Sequence, residues 1–161
     1  TAPEVLPLRP RLVEAAKRLE QATAAVKSAE VLMAGGDPVT KEITADGDLP
    51  AAELQTGETL CGGLVNIVPD YAFDWSGSTE TLSLLVEAES DTTLLVRAPD
   101  GRFQCADDAG GLDNVNPLLR IAEPAEGRYL VWVGRVNPDT PASGTLTITE
   151  AAGAMPAAPQ Q

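Results

Sequence analysis

The sequence predicts a mainly β chain, an antiparallel β-sandwich or jelly-roll-like domain preceded by an N-terminal α-helix. Three observations predict it. Short apolar runs rich in Val, Leu, Thr and aromatic residues recur from Gly62 to Glu150, each closed by Gly, Pro, Asn, Asp or Ser. One of them, Arg128-Tyr129-Leu130-Val131-Trp132-Val133, is apolar on both alternating faces, as a central strand requires. Ahead of these runs the apolar spacing changes to the period of a helix.

The helix comes first. Leu12, Ala15, Leu19, Ala22, Val26, Ala29 and Met33 fall at alternating spacings of three and four, and so line one face. Pro10 suits a first turn, where a missing N–H costs nothing, and Gly35-Gly36 supplies a stop. Glu14 and Arg18 form an i,i+4 pair. The stripe either packs on the protein's own body or docks to another chain, with Leu12, Leu19, Val26 and Met33 as the contact residues; helical spacing does not separate the two.

Eight strands follow: Gly62–Val68, Tyr71–Trp75, Thr81–Ala88, Thr92–Ala98, Gly101–Ala106, Leu118–Ala122, Arg128–Gly134 and Gly144–Glu150. Tyr71, Phe73 and Trp75 share a face at period two, and in so small an aromatic set they belong to the core. Trp132 has an indole N–H that needs an acceptor if buried. The division expected is 1–37 for the lead-in and helix, 38–150 for the sandwich, and 151–161 for a disordered Ala/Pro tail. No stretch is long and apolar enough to span a membrane. A start of Thr1-Ala2-Pro3-Glu4 without an initiator Met reads as a processed chain.

Composition narrows the function. There is no histidine among the 161 residues, which excludes Ser-His-Asp and Cys-His catalysis and His-ligated zinc. The net charge is −13. Residues 1–42 are neutral, with six bases and six acids, while residues 43–161 carry 18 acids, five Arg and no Lys. Such a balance argues against nucleic acid or an anionic membrane as partner. Asp107 and Asp108 are adjacent, so an extended chain points them to opposite faces rather than together as an acid/base pair. Asp91-Thr92-Thr93 lacks the glycine and the second copy of an aspartic-protease dyad, and no glycine pair has phosphate-loop spacing. The chain reads as a non-enzyme.

An ordered set of short motifs carries a family resemblance. Cys61-Gly62-Gly63, Pro69-Asp70-Tyr71, Asp91-Thr92-Thr93-Leu94-Leu95-Val96 and Pro99-Asp100-Gly101 are followed by Cys105-Ala106-Asp107-Asp108, Asn116-Pro117, Gly127-Arg128-Tyr129 and Val131-Trp132-Val133-Gly134. Over about 58–150 the chain resembles the bacterial pre-peptidase C-terminal (PPC) domain family, in particular its subset with a cysteine pair. The resemblance implies a β-sandwich appended to exported bacterial proteins, itself non-catalytic, that aids export, attachment or substrate binding, with calcium bound in acidic loops by some relatives.

In an exported, periplasmic or extracellular chain, Cys61 and Cys105 suggest one disulfide; in a cytosolic one they are two reduced, buried thiols. The stretch Asp107–Asn116 is the densest in oxygen ligands. It is either a calcium loop, with Asp107, Asp108 and Asn116 as first ligands and Asp91 next, or a solvated loop whose Asp and Asn cap their own backbone. It has neither EF-hand nor nonapeptide-repeat spacing. Two functions follow: an accessory module that docks to a larger protein assembly through helix and sandwich, or a calcium-dependent module for a peptide or glycan.

Overall fold

A computed structural model describes residues 8–26, 29–54, 61–106 and 116–150, with the side chains of residues 8–12 outside the description. Two β-sheets form a sandwich, and a helix lies on the outer face of one of them. The helix α1 (Leu8–Ala25) is followed by β1 (Glu30–Met33), β2 (Val39–Ala45), β3 (Leu49–Pro50), a single 3₁₀ turn (Ala51–Leu54) and β4 (Leu64–Val65). Then come β5 (Tyr71–Ser76), β6 (Thr81–Ala88), β7 (Thr92–Arg97), β8 (Phe103–Ala106), β9 (Leu118–Ala122), β10 (Gly127–Arg135) and β11 (Ala142–Thr149).

The larger sheet has seven strands, running β1-β5-β10-β4-β3, with β7 also on β10 and β8 on β7; the smaller has four, in the order β2-β11-β6-β9. All pairings are antiparallel except β1 with β5. Every strand expected from Gly62 onward is present, with ends moved by a few residues.

β10 organises both cores. Tyr129, Val131 and Val133 face the smaller sheet and join Phe73, Leu84, Val96 and Leu146 in the sandwich core. Leu130 and Trp132 face the other way, into a second cluster with Val65, Leu95, Leu54 and Ala22. The two-faced apolar strand is thus central, as its alternation predicts, yet its second face is covered by the helix rather than by a sheet. Trp132 meets its polar requirement by donating to the Ile67 carbonyl at 3.1 Å. Phe73 stacks on Tyr129 with centroids 5.0 Å apart, and the Tyr129 hydroxyl donates to the Ala125 carbonyl at 2.7 Å.

Three expectations are corrected. The helix ends at Ala25, where Val26 N–H bonds the Thr23 carbonyl in a tightened last turn. Met33 therefore lies on a strand, and Gly35-Gly36 turns β1 into β2, with Gly35 at φ 86°. The apolar stripe runs past the helix because a strand residue happens to continue its spacing. The sandwich also begins at Glu30 rather than at residue 38, since β1 pairs with β5 along Glu30–Met33. Finally, Arg18 does not pair with Glu14. It reaches Glu53 of the 3₁₀ turn at 3.4 Å, while Glu14 lies 3.7 Å from Lys17.

Candidate interaction site

β1 is an edge strand. Its register sets Val31 beside Asp74, Leu32 beside Trp75 and Met33 beside Ser76. Leu32 turns inward with Trp75 onto the sandwich core. By strand alternation Val31 and Met33 turn outward, and each is 62% exposed. Among the described residues no strand pairs with the far edge of β1. Along that edge lies a cavity of about 260 Å³, lined by the edge residues Val31–Met33 and by Val39, Trp75, Leu82 and Ile148. Trp75 is 4% exposed, and among the described residues its indole N–H has no acceptor. Asp37 and Glu150 stand at the rim, where Glu150 accepts from the Gly35 N–H at 2.6 Å.

A polar cluster closes the gap between the two sheet edges further along. Lys41 of β2 lies 2.9 Å from Glu30 of β1 and sits over the Tyr71 ring at 5.6 Å, while the Tyr71 hydroxyl donates to Glu30. The hydrogen bonds from Tyr71 and then Lys41 hold the Glu30 carboxyl below its ordinary range. Burial, then the hydrogen bond to Glu30 and its charge, push the Tyr71 hydroxyl up. Lys41 is the inward-facing residue that interrupts the apolar alternation of β2. It is tolerated there because the sandwich edge is open to water.

Asp70 and Arg135 are structural polar groups. The Asp70 carboxylate accepts the Val133 N–H at 2.7 Å, and its own N–H bonds the Val131 carbonyl at 2.9 Å, so it closes the β5–β10 pairing just ahead of β5. Burial, reinforced by the nearby Asp46 charge, pushes its pKa up to about 6 against the pull of the Val133 N–H. Arg135, 7% exposed, donates to the Gly47 carbonyl at 2.8 Å, the Pro138 carbonyl at 2.9 Å and the Asp48 carboxylate. It ties β10 to the segment between β2 and β3.

The residues singled out in the sequence are distributed as follows. Cys61 and Cys105 are disulfide-bonded, with Cα atoms 6.0 Å apart. The bond ties the chain ahead of β4 to β8, beside the helix-covered cluster. Leu19 and Val26 are half-buried against that same cluster, with Ala22 fully buried between them and Ala15 fully buried one turn earlier. The Leu12 side chain lies outside the described residues. Asp107 and Asp108 also lie outside them, as does the 151–161 tail. The Asn116 side chain accepts the Ala88 N–H at 3.0 Å, just before the turn that leads to Asp91, whose carbonyl accepts the Val136 N–H at 3.2 Å. Among the described residues no three His, Cys, Asp or Glu side chains converge as a metal site. Self-capping is seen directly in two turns: Asp100 accepts the Arg102 N–H at 2.9 Å and Asn137 the Asp139 N–H at 2.9 Å.

Sequence reasoning missed β1, β2 and β3, Trp75 as a groove residue, and the structural roles of Asp70 and Arg135. Asp70 left a signal as part of the Pro69-Asp70-Tyr71 motif, and Arg135 as a lone base closing an apolar strand.

No family model and no curated protein matches the chain. Two solved structures are similar at low identity. One is the pre-peptidase C-terminal domain of a collagenase from Bacillus anthracis, at 10% identity and a TM-score of 0.38, covering 76% of this chain and 93% of that one. The other is a periplasmic inhibitor of g-type lysozyme from Aeromonas hydrophila, at 11% identity and a TM-score of 0.37, covering 76% of this chain and 98% of that one.

Proposed function

We propose that the chain is a non-catalytic accessory module of an exported bacterial protein system, working in the periplasm or outside the cell by binding protein. The observation that carries this reading is a contrast. The described arginines of the sandwich with ion pairs, Arg102, Arg128 and Arg135, spend them on the fold's own carboxylates, while two large apolar side chains of β1 stand in water. Isolated apolar residues on a surface are ordinary, but a pair on an unpaired strand edge above an apolar cavity is a feature of binding surfaces. The Cys61–Cys105 bond supports an oxidising compartment, where such bonds form and persist. The absence of histidine leaves the sandwich without an ordinary general base. Because Leu19 and Val26 are used in internal packing, docking is assigned to the sandwich edge rather than to the helix stripe.

The test is recovery of the full chain, tagged and cross-linked in its native host, from the envelope fraction and the medium. The expected result is an oxidised cysteine pair and one protein recovered at a fixed stoichiometry. A monomer in both fractions, with no stoichiometric partner, overturns the reading.

A further inference from the structure

We infer that the free edge of β1 is a strand-acceptor site, which takes an extended segment from a basic partner protein; this rests on the protein-binding reading above. The segment lies beside Glu30–Met33, extends the seven-stranded sheet through its backbone, and supplies an oxygen that accepts the Trp75 indole N–H.

Four observations converge. The first is the edge itself, whose unpaired N–H and C=O groups are a template for another strand. Elsewhere the sheet edges are guarded in the ways proteins blunt them. β2 carries Lys41 and Glu42, β3 carries Pro50, β9 carries Arg120, and β8 is held by the disulfide. β1 reads Glu30-Val31-Leu32-Met33, and its only charge is already bonded to Lys41 and Tyr71. The second observation is side-chain chemistry on both faces. Alternate residues of an added strand would meet Val31 and Met33 on the outside and the cavity lined by Leu32, Val39 and Trp75 on the inside.

The third observation is the Trp75 N–H, buried without an acceptor among the described residues, in a residue that lines this cavity. A buried donor whose hydrogen bond is left unmade is unfavourable, so an incoming carbonyl or side-chain oxygen is favoured there over a purely apolar ligand. The fourth is charge. Two copies of a chain of net charge −13 repel one another, which disfavours self-pairing at this edge. With Asp37 and Glu150 at the rim, the same charge favours a segment flanked by Lys or Arg.

The experiment uses the full ¹⁵N-labelled chain and a capped synthetic peptide of about eight residues, alternating valine with threonine and carrying a lysine at each end. A counterpart with glutamate at each end is the charge control. The expected result is a shift of the Trp75 indole N–H resonance and slowed amide exchange at Val31–Met33. Trp132, already bonded to Ile67, serves as the fixed internal reference. The glutamate-ended peptide is expected to bind more weakly by about tenfold or more. The double variant Val31→Lys/Met33→Lys, at two side chains already mostly in water, is expected to keep the fold and lose the peptide.

No change at Trp75 or Val31–Met33 at millimolar peptide overturns the inference. So does equal binding of the glutamate-ended peptide, or a dimer through β1 in sedimentation. If a stoichiometric partner is recovered and the double variant binds it as well as the parent does, the strand-acceptor site falls while the protein-binding reading stands. If neither peptide nor partner binds, both fall.

Discussion

Removing the Cys61–Cys105 bond tests how far a single covalent tie supports this fold. The bond closes a sequence separation of 44 residues, which contains β4 to β7 and reaches into β8. For a loop of that length the chain-entropy relation gives about 4 kcal/mol of stabilisation, acting through the unfolded ensemble. At about 2–4 °C per kcal/mol for a chain of this size, the expected fall in Tm is about 8–16 °C. The native contacts suggest where the loss is felt. Cys61 is buried against the helix-covered cluster, whereas β8 pairs only with β7 among the described residues. The assay is urea unfolding followed by Trp fluorescence, for the oxidised chain, the reduced chain and the Cys61→Ala/Cys105→Ser variant. The midpoint should fall, and the denaturant slope should rise, because the unlinked unfolded chain exposes more surface. A loss below about 1 kcal/mol with an unchanged slope would refute the entropic reasoning.

Three further substitutions probe β10 and the polar and close-packed residues against it. Asp70 has a raised pKa, so the folded state keeps its proton to higher pH than the unfolded chain does, and the group's contribution to stability falls as pH rises from about 4 to about 6 and is constant above. Asp70→Asn keeps an acceptor for Val133 N–H without the charge. It should remove that pH dependence and be more stable near neutrality by about 2 kcal/mol, after allowance for partial exposure; parallel urea curves with pH for parent and variant would refute this. At Gly134 an added Cβ would come within 2.4 Å of the Thr93 Oγ1, so Gly134→Ala should cost about 1–3 kcal/mol. Thr93→Ala removes that oxygen together with its 3.1 Å bond to the Gly62 carbonyl, and the double variant should therefore lose less than the sum of the singles. Additive losses in the double-mutant cycle would show that the contact is not the cause.

Much of the sandwich was legible because its strands are short and punctuated. Pro99-Asp100-Gly101 ends β7 as a turn, with the Gly101 N–H on the Ala98 carbonyl and Gly101 at φ 91°. The alternation of β10 gave both its faces correctly. What was hidden follows from information that is not local. Val26, Ala29 and Met33 continue a helical spacing across a helix end and into a strand, so periodicity alone overran Ala25. β2 alternates, but Lys41 occupies an inward position, and only its pairing with Glu30 across the sheet gap makes that reasonable. The candidate site was illegible for the same reason. Whether Val31 and Met33 lie at an edge depends on which strand pairs with β1, and a parallel partner more than 40 residues downstream, β5, leaves no local trace.

The two cores share β10, and this fixes more than packing. Shifting β10 by one residue would send Trp132 into the sandwich and Val131 beneath the helix, so a slip is penalised on both faces at once. Register is thereby proof-read twice, once by the opposite sheet and once by the helix. The same sharing makes the helix a dependent layer, because Ala22 and its neighbours have an apolar surface to land on only after Leu130 and Trp132 are aligned.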